Sequence, residues 1–331
     1  MKDVTNRQTG PGADAWENPQ GGASAVDTAV SHLEGLSDLK RRDIGAAELR
    51  KSLARGELVR VRHGVYLPGA DVARLAPWEK DVVSLHAQAR SARGETVFGF
   101  ASAARLWGLD VWGVDRNLHV VQRASAGSRV FGQRVVSHNS MLTGVHVGRT
   151  QGLSVTGIER TVSDCLMTMP FLSAVILADS ALRGGLQRSK VAEILDARPK
   201  ARGVRRARAA LEFADGRSES VAEGRLRVLL HQWGMPPPVL QWEVQTRRGR
   251  FRPDFAWPEF RLAIEIHGNG KYYMESPTNQ KLIQERKREA ALAEEGIRVL
   301  NIWWDQLDES GLRGRVTAHV ASAIDAFRQV A

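Results

Sequence analysis

One stretch constrains the fold more than any other: RPDFAWPEFRLAIEIHG, residues 252–268. Two runs, 250–257 and 261–268, alternate in polarity about a Pro258-Glu259 turn, the pattern of a β-hairpin. With the turn centred between Glu259 and Phe260, Trp257 faces Leu262 and Phe255 faces Ile264 on an apolar side. On the other side Ala256 faces Ala263, Asp254 faces Glu265 and Arg252 faces His267. Directly opposed Cβ atoms lie about 5 Å apart. Two carboxylates at that spacing repel by roughly 3 kcal/mol at an effective dielectric near 20. A fold gains nothing from such a pair unless a cation fills the gap. Two occupants are open: Mg²⁺ (or Mn²⁺), which takes one or two carboxylates and keeps several waters, and an arginine, either Arg252 or Arg261.

The flanking elements extend the pattern. SESVAEGRLRVLLHQWG, from Ser218, reads as a helix with Leu226, Leu229 and Leu230 on one face and Gly234 at its end. A strand is expected over 239–246, a basic helix from Asn279 to Glu295 stopped by Gly296, a core strand over 297–304 and a closing helix over 314–329. Helix, three strands, helix, strand is the core order of a restriction-endonuclease-like fold. Glu223 has two readings, an added acid beside the hairpin or the partner of Ser220 in a capping box. Arg286, Lys287 and Arg288 could hold phosphates or merely solvate a helix face, and Trp303 and Trp304 read as core.

Composition narrows the partner. The 331-residue chain carries a formal charge of +10, largely from arginine, which favours a polyanion and above all nucleic acid. Cys165 is the single cysteine, so intrachain disulfides and thiolate zinc sites are excluded. No stretch reaches the roughly 20 apolar residues of a membrane span, and no apolar signal core opens the chain. A reduced cytoplasmic location is expected.

Residues 1–25 read as a disordered lead-in and 26–70 as a winged helix-turn-helix. Val26, Val30 and Leu33 recur at helical spacing, Ser37 to Asp43 makes a second helix and Ala46 to Ala54 a third. LVRVR (58–62) and VYLPG (65–69) flank a His63-Gly64 turn. In such a module the third helix enters the major groove and the hairpin touches backbone, which places Arg50, Lys51, Arg55, Arg60, Arg62 and His63 on the reading surface. Simple solvation of a small helical domain is the alternative. A mixed α/β middle domain is expected over 71–197, where Thr161 and Asp164 read as structural and His119, His138 and His146 as ordinary strand and loop residues. A basic linker is expected over 198–217 and the last domain over 218–331.

ELRKSLARGELVRVRHGVYLPG resembles the N-terminal winged helix of the abortive-infection (type IV) antitoxin family, and the likeness runs on through FASAARLWGLD, NLHVVQR and GLSVTGIERTVSDCLM. The resemblance implies DNA binding, self-regulated transcription and a cognate toxin as a further partner. RPDFAWPEFRLAIEIHG with KREAALAEEGIRVLNIWWDQL resembles the endonuclease-like domains related to the very-short-patch-repair (Vsr) mismatch endonucleases, within the PD-(D/E)XK superfamily. Pro253-Asp254 matches the PD element and Glu265 the acid of the second element. The superfamily lysine would fall at His267; the Vsr branch places histidine before glycine here, as in His267-Gly268, but lacks an acid matching Glu265. Lys271 is a weaker substitute for that lysine. The resemblance implies an α/β multidomain protein that hydrolyses DNA with Mg²⁺ on Asp254 and Glu265, with His267 and Glu223 assisting and Arg252, Lys271, Arg286 and Arg288 on the nucleic acid. The competing expectation is an antitoxin-like transcriptional regulator with an inactive nuclease-like domain; an RNA-directed enzyme is a third.

Overall fold

The computed structural model describes residues 24–92, 94–122, 135–139, 147–267 and 279–330, with backbone alone at 279–286 and 326–330. The chain is mixed α/β and divides into two compact units. One runs through Met169 and takes in Arg188–Ala207; the other comprises Pro170–Gln187 and Arg208–Ala331. Among the described residues no helix is long and apolar enough to cross a membrane.

The first unit opens with α1 (Ala25–Ser31), β1 (Glu34–Gly35), α2 (Leu36–Arg41), α3 (Ala46–Ala54), β2 (Leu58–Arg62) and β3 (Val65–Pro68). Most of the expected lead-in lies outside the described residues. Its end does not: Ser24 and Asp27 form a capping box that starts α1 at Ala25. The strands form an antiparallel sheet in the order β1-β3-β2, turning at Gly64, whose φ of +72° suits a residue without Cβ. Its core joins Ala29, Leu33, Val65 and Leu67 to Leu75, Val83 and Ala87. These last residues come from the end of α4 (Gly69–Arg74) and from α5 (Pro77–Ser91), so this small core draws on residues beyond 70.

Next come β4 (Val97–Phe98), α6 (Phe100–Leu106), β5 (Leu118–Gln122), β6 (Val135–Asn139), β7 (Val147–Thr150), β8 (Leu153–Thr156) and α7 (Ile158–Thr168). They build a mixed sheet in the order β6-β5-β4-β8-β7. Thr161 Oγ1 donates to Thr156 O at 2.9 Å. Asp164, almost fully buried, accepts from Arg160 Nε at 2.6 Å and Arg198 Nη1 at 2.9 Å.

The chain then gives α8 (Phe171–Arg183) to the second unit, α9 (Arg188–Asp196) to the first and α10 (Val204–Phe213) across their boundary. The stretch expected as a basic linker thus contains a helix, with Val204, Ala207, Ala210 and Leu211 buried. The second unit continues with α11 (Val221–Gln232), β9 (Val239–Leu240), β10 (Val244–Thr246), β11 (Gly249–Phe251), β12 (Phe255–Trp257), β13 (Leu262–His267), α12 (Asn279–Glu294), β14 (Arg298–Trp303) and α13 (Leu312–Val330). Helix α8 meets α11 where a Cβ on Gly224 would stand 3.0 Å from Ile176 Cγ1. Asp179 and Arg227 form a buried ion pair at 2.6 Å beside that approach.

The main sheet of this unit has the order β14-β13-β12-β9, with β13 and β14 parallel. Its hairpin register is the expected one, Phe255↔Ile264, Ala256↔Ala263 and Trp257↔Leu262. Phe255, Trp257, Leu262 and Ile264 pack with Leu226, Leu230, Val316 and Val320, while Ala256 and Ala263 face Leu292 and Ile297. Both faces are therefore covered. The strands expected over 239–246 and 250–257 are each broken, at Gln241–Glu243 and at Arg252–Asp254. Gln241 takes a left-handed φ of +53° and donates its backbone N–H to Asp254 O at 3.0 Å, so the two breaks hold each other.

Asp164→Ala removes the carboxylate that two guanidinium groups share. Loss of one partner from a buried ion pair costs about 3–5 kcal/mol, and the expected outcome is a lower urea midpoint for unfolding of the first unit.

Candidate functional site

The break after β11 points Asp254 across the sheet end. Its Oδ2 accepts the Ile266 backbone N–H at 2.9 Å, and its Oδ1 lies 3.4 Å from Gln241 Nε2. The same Gln241 amide donates to Glu223 Oε2 at 3.0 Å. Glu223 also takes Ser220 Oγ at 2.8 Å and the Glu219 backbone N–H at 2.9 Å. Ser220 caps α11 by accepting the Glu223 backbone N–H at 3.2 Å, but the Glu223 carboxylate reaches the N–H of Glu219 rather than that of Ser220, and it stands beside Asp254. Glu265, on β13, is 6% exposed.

Burial pushes all three carboxyls above the ordinary range. The charge of Asp254 adds to the rise at Glu223 and Glu265, while Arg288 works against it at Glu265 and Asp254. Arg288 is thus the arginine beside the pair. Arg252 instead pairs with Glu219 at 2.5 Å, and Arg261 donates to Glu295 O at 2.5 Å. Arg288 Nη2 stands 2.8 Å from Glu265 Oε1 without hydrogen-bond alignment, leaving that oxygen and Arg288 Nε buried with no hydrogen bond. It also donates to Arg252 O at 3.0 Å.

Neighbouring strand β14 completes the surroundings. It sets Asn301 beside Glu265 and Trp303 beside His267. His267 Nε2 lies 3.0 Å from Asn301 Oδ1, and Asn301 Nδ2 donates to Glu289 Oε1 at 2.6 Å. Trp303, expected in the core, is 39% exposed and stacks on the His267 ring at a centroid distance of 4.5 Å. Trp304 is packed against the core, with the Arg225 guanidinium 4.5 Å over its ring.

Asp254, Glu265, His267, Glu223 and Arg288 are thus brought together, with Arg252 at the margin. Arg286 belongs to α12 by its backbone, and Lys271 lies outside the described residues. Gln241, Glu289 and Asn301 were missed by sequence reasoning. Of these, Asn301 alone carried a usable signal, a polar residue inside the otherwise apolar run 299–304, while the left-handed turn at Gln241 left no trace in residue type.

A cation would find oxygen donors here and one oxygen, Glu265 Oε1, with no hydrogen bond to lose. Among the described residues no group of three or more His, Cys, Asp and Glu is arranged to hold a metal. The residues present fit a hard ion that needs only one or two carboxylates and keeps its waters.

The other expected surface lies in the first unit. Arg50 and Lys51 project from α3, where Ala46, Ala47 and Ala54 are also exposed. Lys51 is 3.8 Å from Glu48, and Arg55 pairs with Glu48 at 2.9 Å and Glu57 at 3.0 Å. Arg60 contacts His63 at 2.6 Å, and Arg62 donates to Gln88. Arg50 has no ion pair among the described residues. Cys165 is fully buried and its thiol pushed up, chiefly by burial, so it is inert.

No family model matches the chain. It is 28% identical over 285 residues to "Uncharacterized protein MT2308" of Mycobacterium tuberculosis (strain CDC 1551 / Oshkosh), a span of 85% of this chain and 97% of that one. The same figures hold for "Uncharacterized protein Rv2248" of strain ATCC 25618 / H37Rv.

A carboxyl raised on folding binds its proton more tightly in the folded chain. Its contribution to stability is present below the ordinary Asp range and is lost as pH rises through the raised value. Asp254→Asn is therefore expected to raise Tm in EDTA at about pH 8, with the gain shrinking toward about pH 4, near the ordinary aspartate range. Thermal melts at the two pH values check this, and an unchanged or lower Tm at the higher pH would refute the burial argument.

Proposed function

We propose that this is a DNA-binding protein that cuts phosphodiester bonds, with a winged helix-turn-helix at its N-terminus and a restriction-endonuclease-like domain at its C-terminus. The observation that carries the reading is the acid pair at one end of the main sheet, Asp254 half-buried and Glu265 buried, with Glu265 Oε1 lacking a hydrogen bond. Burial raises the proton affinity of both acids, and the charge of Asp254 adds to the rise at Glu265.

Asp254 and Glu265 would hold Mg²⁺ or Mn²⁺, which when bound polarises a phosphate and activates water. The chain's own groups do the rest. Gln241 ties Glu223 to Asp254 and limits how far either can turn. Arg288, 35% exposed along its side chain, balances the acids and lies within reach of an entering phosphate. His267 supplies a proton acceptor. On the first unit, Arg50 and Lys51 present cations between small exposed alanines, a face that suits close approach to a groove.

One observation favours the regulator reading. Arg288 already neutralises Glu265, as a retired site would require. In that case the second unit only binds DNA, and a toxin joins DNA as partner.

The discriminating experiment is nicking of supercoiled plasmid and of mismatched duplex with Mg²⁺ or Mn²⁺. Cleavage by wild type and its loss, by 10²-fold or more, in Asp254→Ala are expected. DNA binding without cleavage in either protein would move the assignment to the regulator. Arg50→Ala with Lys51→Ala should weaken DNA binding and flatten its salt dependence by about two phosphate contacts.

A further inference from the structure

The contacts around His267 constrain which ring nitrogen carries its proton. Glu289, exposed on α12, lies 2.6 Å from Asn301 Nδ2. An ionised carboxylate only accepts, so the amide must turn its NH₂ group toward Glu289. That turn leaves Asn301 Oδ1 facing the imidazole, 3.0 Å from His267 Nε2. A carbonyl oxygen also only accepts, so Nε2 must donate, and a neutral imidazole has one N–H to give.

We infer that Glu289 and Asn301 are positioning residues that hold His267 as its Nε2–H tautomer, so that Nδ1 is the lone-pair nitrogen with which the site accepts a proton from water. What Nδ1 does rests on the nuclease reading above; the tautomer does not. Stacking on Trp303 fixes the plane of the ring, and the parallel register of β13 and β14 sets Asn301 one pair before Trp303 on that face. The chain Glu289–Asn301–His267 orients a base through its far nitrogen, as an outer shell commonly does for histidine.

The arrangement also gives the missing lysine a meaning. A lysine ammonium at this position could only donate, whereas His267 so held can accept. In the step, a water O–H bond breaks and its proton passes to Nδ1. The remaining hydroxide oxygen bonds to phosphorus, the bond from phosphorus to one sugar oxygen breaks, and that alkoxide takes a proton from bulk water. The imidazolium keeps its Nε2–H on Asn301, and Glu289 beyond it stabilises the new positive charge.

The test uses the full chain labelled with ¹⁵N-histidine, free of metal at about pH 8, above the ordinary histidine value. Nine histidines are present, and the signals of His267 are those lost in His267→Gln. Long-range ¹H–¹⁵N spectra should show a protonated Nε2 and an unprotonated Nδ1. Glu289→Lys replaces an acceptor by a donor, so Asn301 should flip and the tautomer invert to Nδ1–H. Plasmid nicking should then fall about 10–100-fold, the usual effect of losing such an outer partner. Glu294→Lys on the same helix, whose carboxylate pairs with Arg248, should change neither readout. If Glu289→Lys does not fold, Asn301→Leu removes the acceptor and should give a mixture of tautomers. An Nδ1–H ring in wild type, or an unchanged tautomer in Glu289→Lys, overturns the inference. Inversion with undiminished nicking overturns the role of Nδ1. The expected tautomers with no nicking by any variant overturn the nuclease reading, and the role of Nδ1 with it, while leaving the hydrogen-bond assignment standing.

Discussion

The second unit depends on the hydrogen bond from the Gln241 backbone N–H to Asp254 O. Where it forms, two strands leave the main sheet at the same level. Without those departures, 239–246 and 250–257 would continue as ordinary paired strands and side chains would alternate into covered faces. With them, the sheet ends early, Asp254 is released from pairing, and a strained residue, Gln241, brings its amide between two acids. Left-handed backbone at a residue other than glycine persists only where its surroundings enforce it, and such positions gather at functional sites. The apolar part of the sheet bears the cost: Phe255 and Trp257 lie on one side and Ala256 on the other, each almost fully buried within three residues of Asp254.

Burial and charge oppose each other in this corner. Three carboxyls are held where water is scarce, and their proton affinities rise accordingly. Arg288 offsets part of that penalty with a contact that is close but poorly aligned. A purely structural ion pair would be expected to satisfy its donors and acceptors, as Asp164 does with Arg160 and Arg198. The buried Asp179–Arg227 pair also leaves a guanidinium nitrogen, Arg227 Nε, without a hydrogen bond, but both of its carboxylate oxygens are engaged; at Glu265 it is a carboxylate oxygen that goes without.

Much of the second unit was legible because alternation in 252–268 fixes a register, and a register fixes which side chains can meet. The pairs Phe255–Ile264 and Trp257–Leu262 follow from sequence alone, as does the stop of α12 by Gly296, which has φ +72°. The break at Gln241–Glu243 was not legible, because Gln241 does not break a strand by itself; that at Arg252–Asp254 carried a signal in Pro253, which has no N–H to give a ladder. Trp303 was misjudged because an apolar residue at a strand end reads as core, whereas its partial exposure is decided by the path of the chain beyond it. Nor did periodicity reveal that Pro170–Gln187 serves the second unit: helix α8 is buried on every side over residues 173–181, and it meets α11 through Asp179 pairing with Arg227 and the missing side chain of Gly224.

That allegiance governs how the chain can be divided. Because α8 belongs to the second unit while α9 returns to the first, the backbone passes between the units three times, after Met169, Gln187 and Ala207. No single cut yields both units whole. A fragment beginning at residue 218 lacks the carboxylate that neutralises Arg227, and one ending at residue 217 carries an apolar helix stripped of its cover. A cut at any one of those three points therefore parts residues that pack within the same unit.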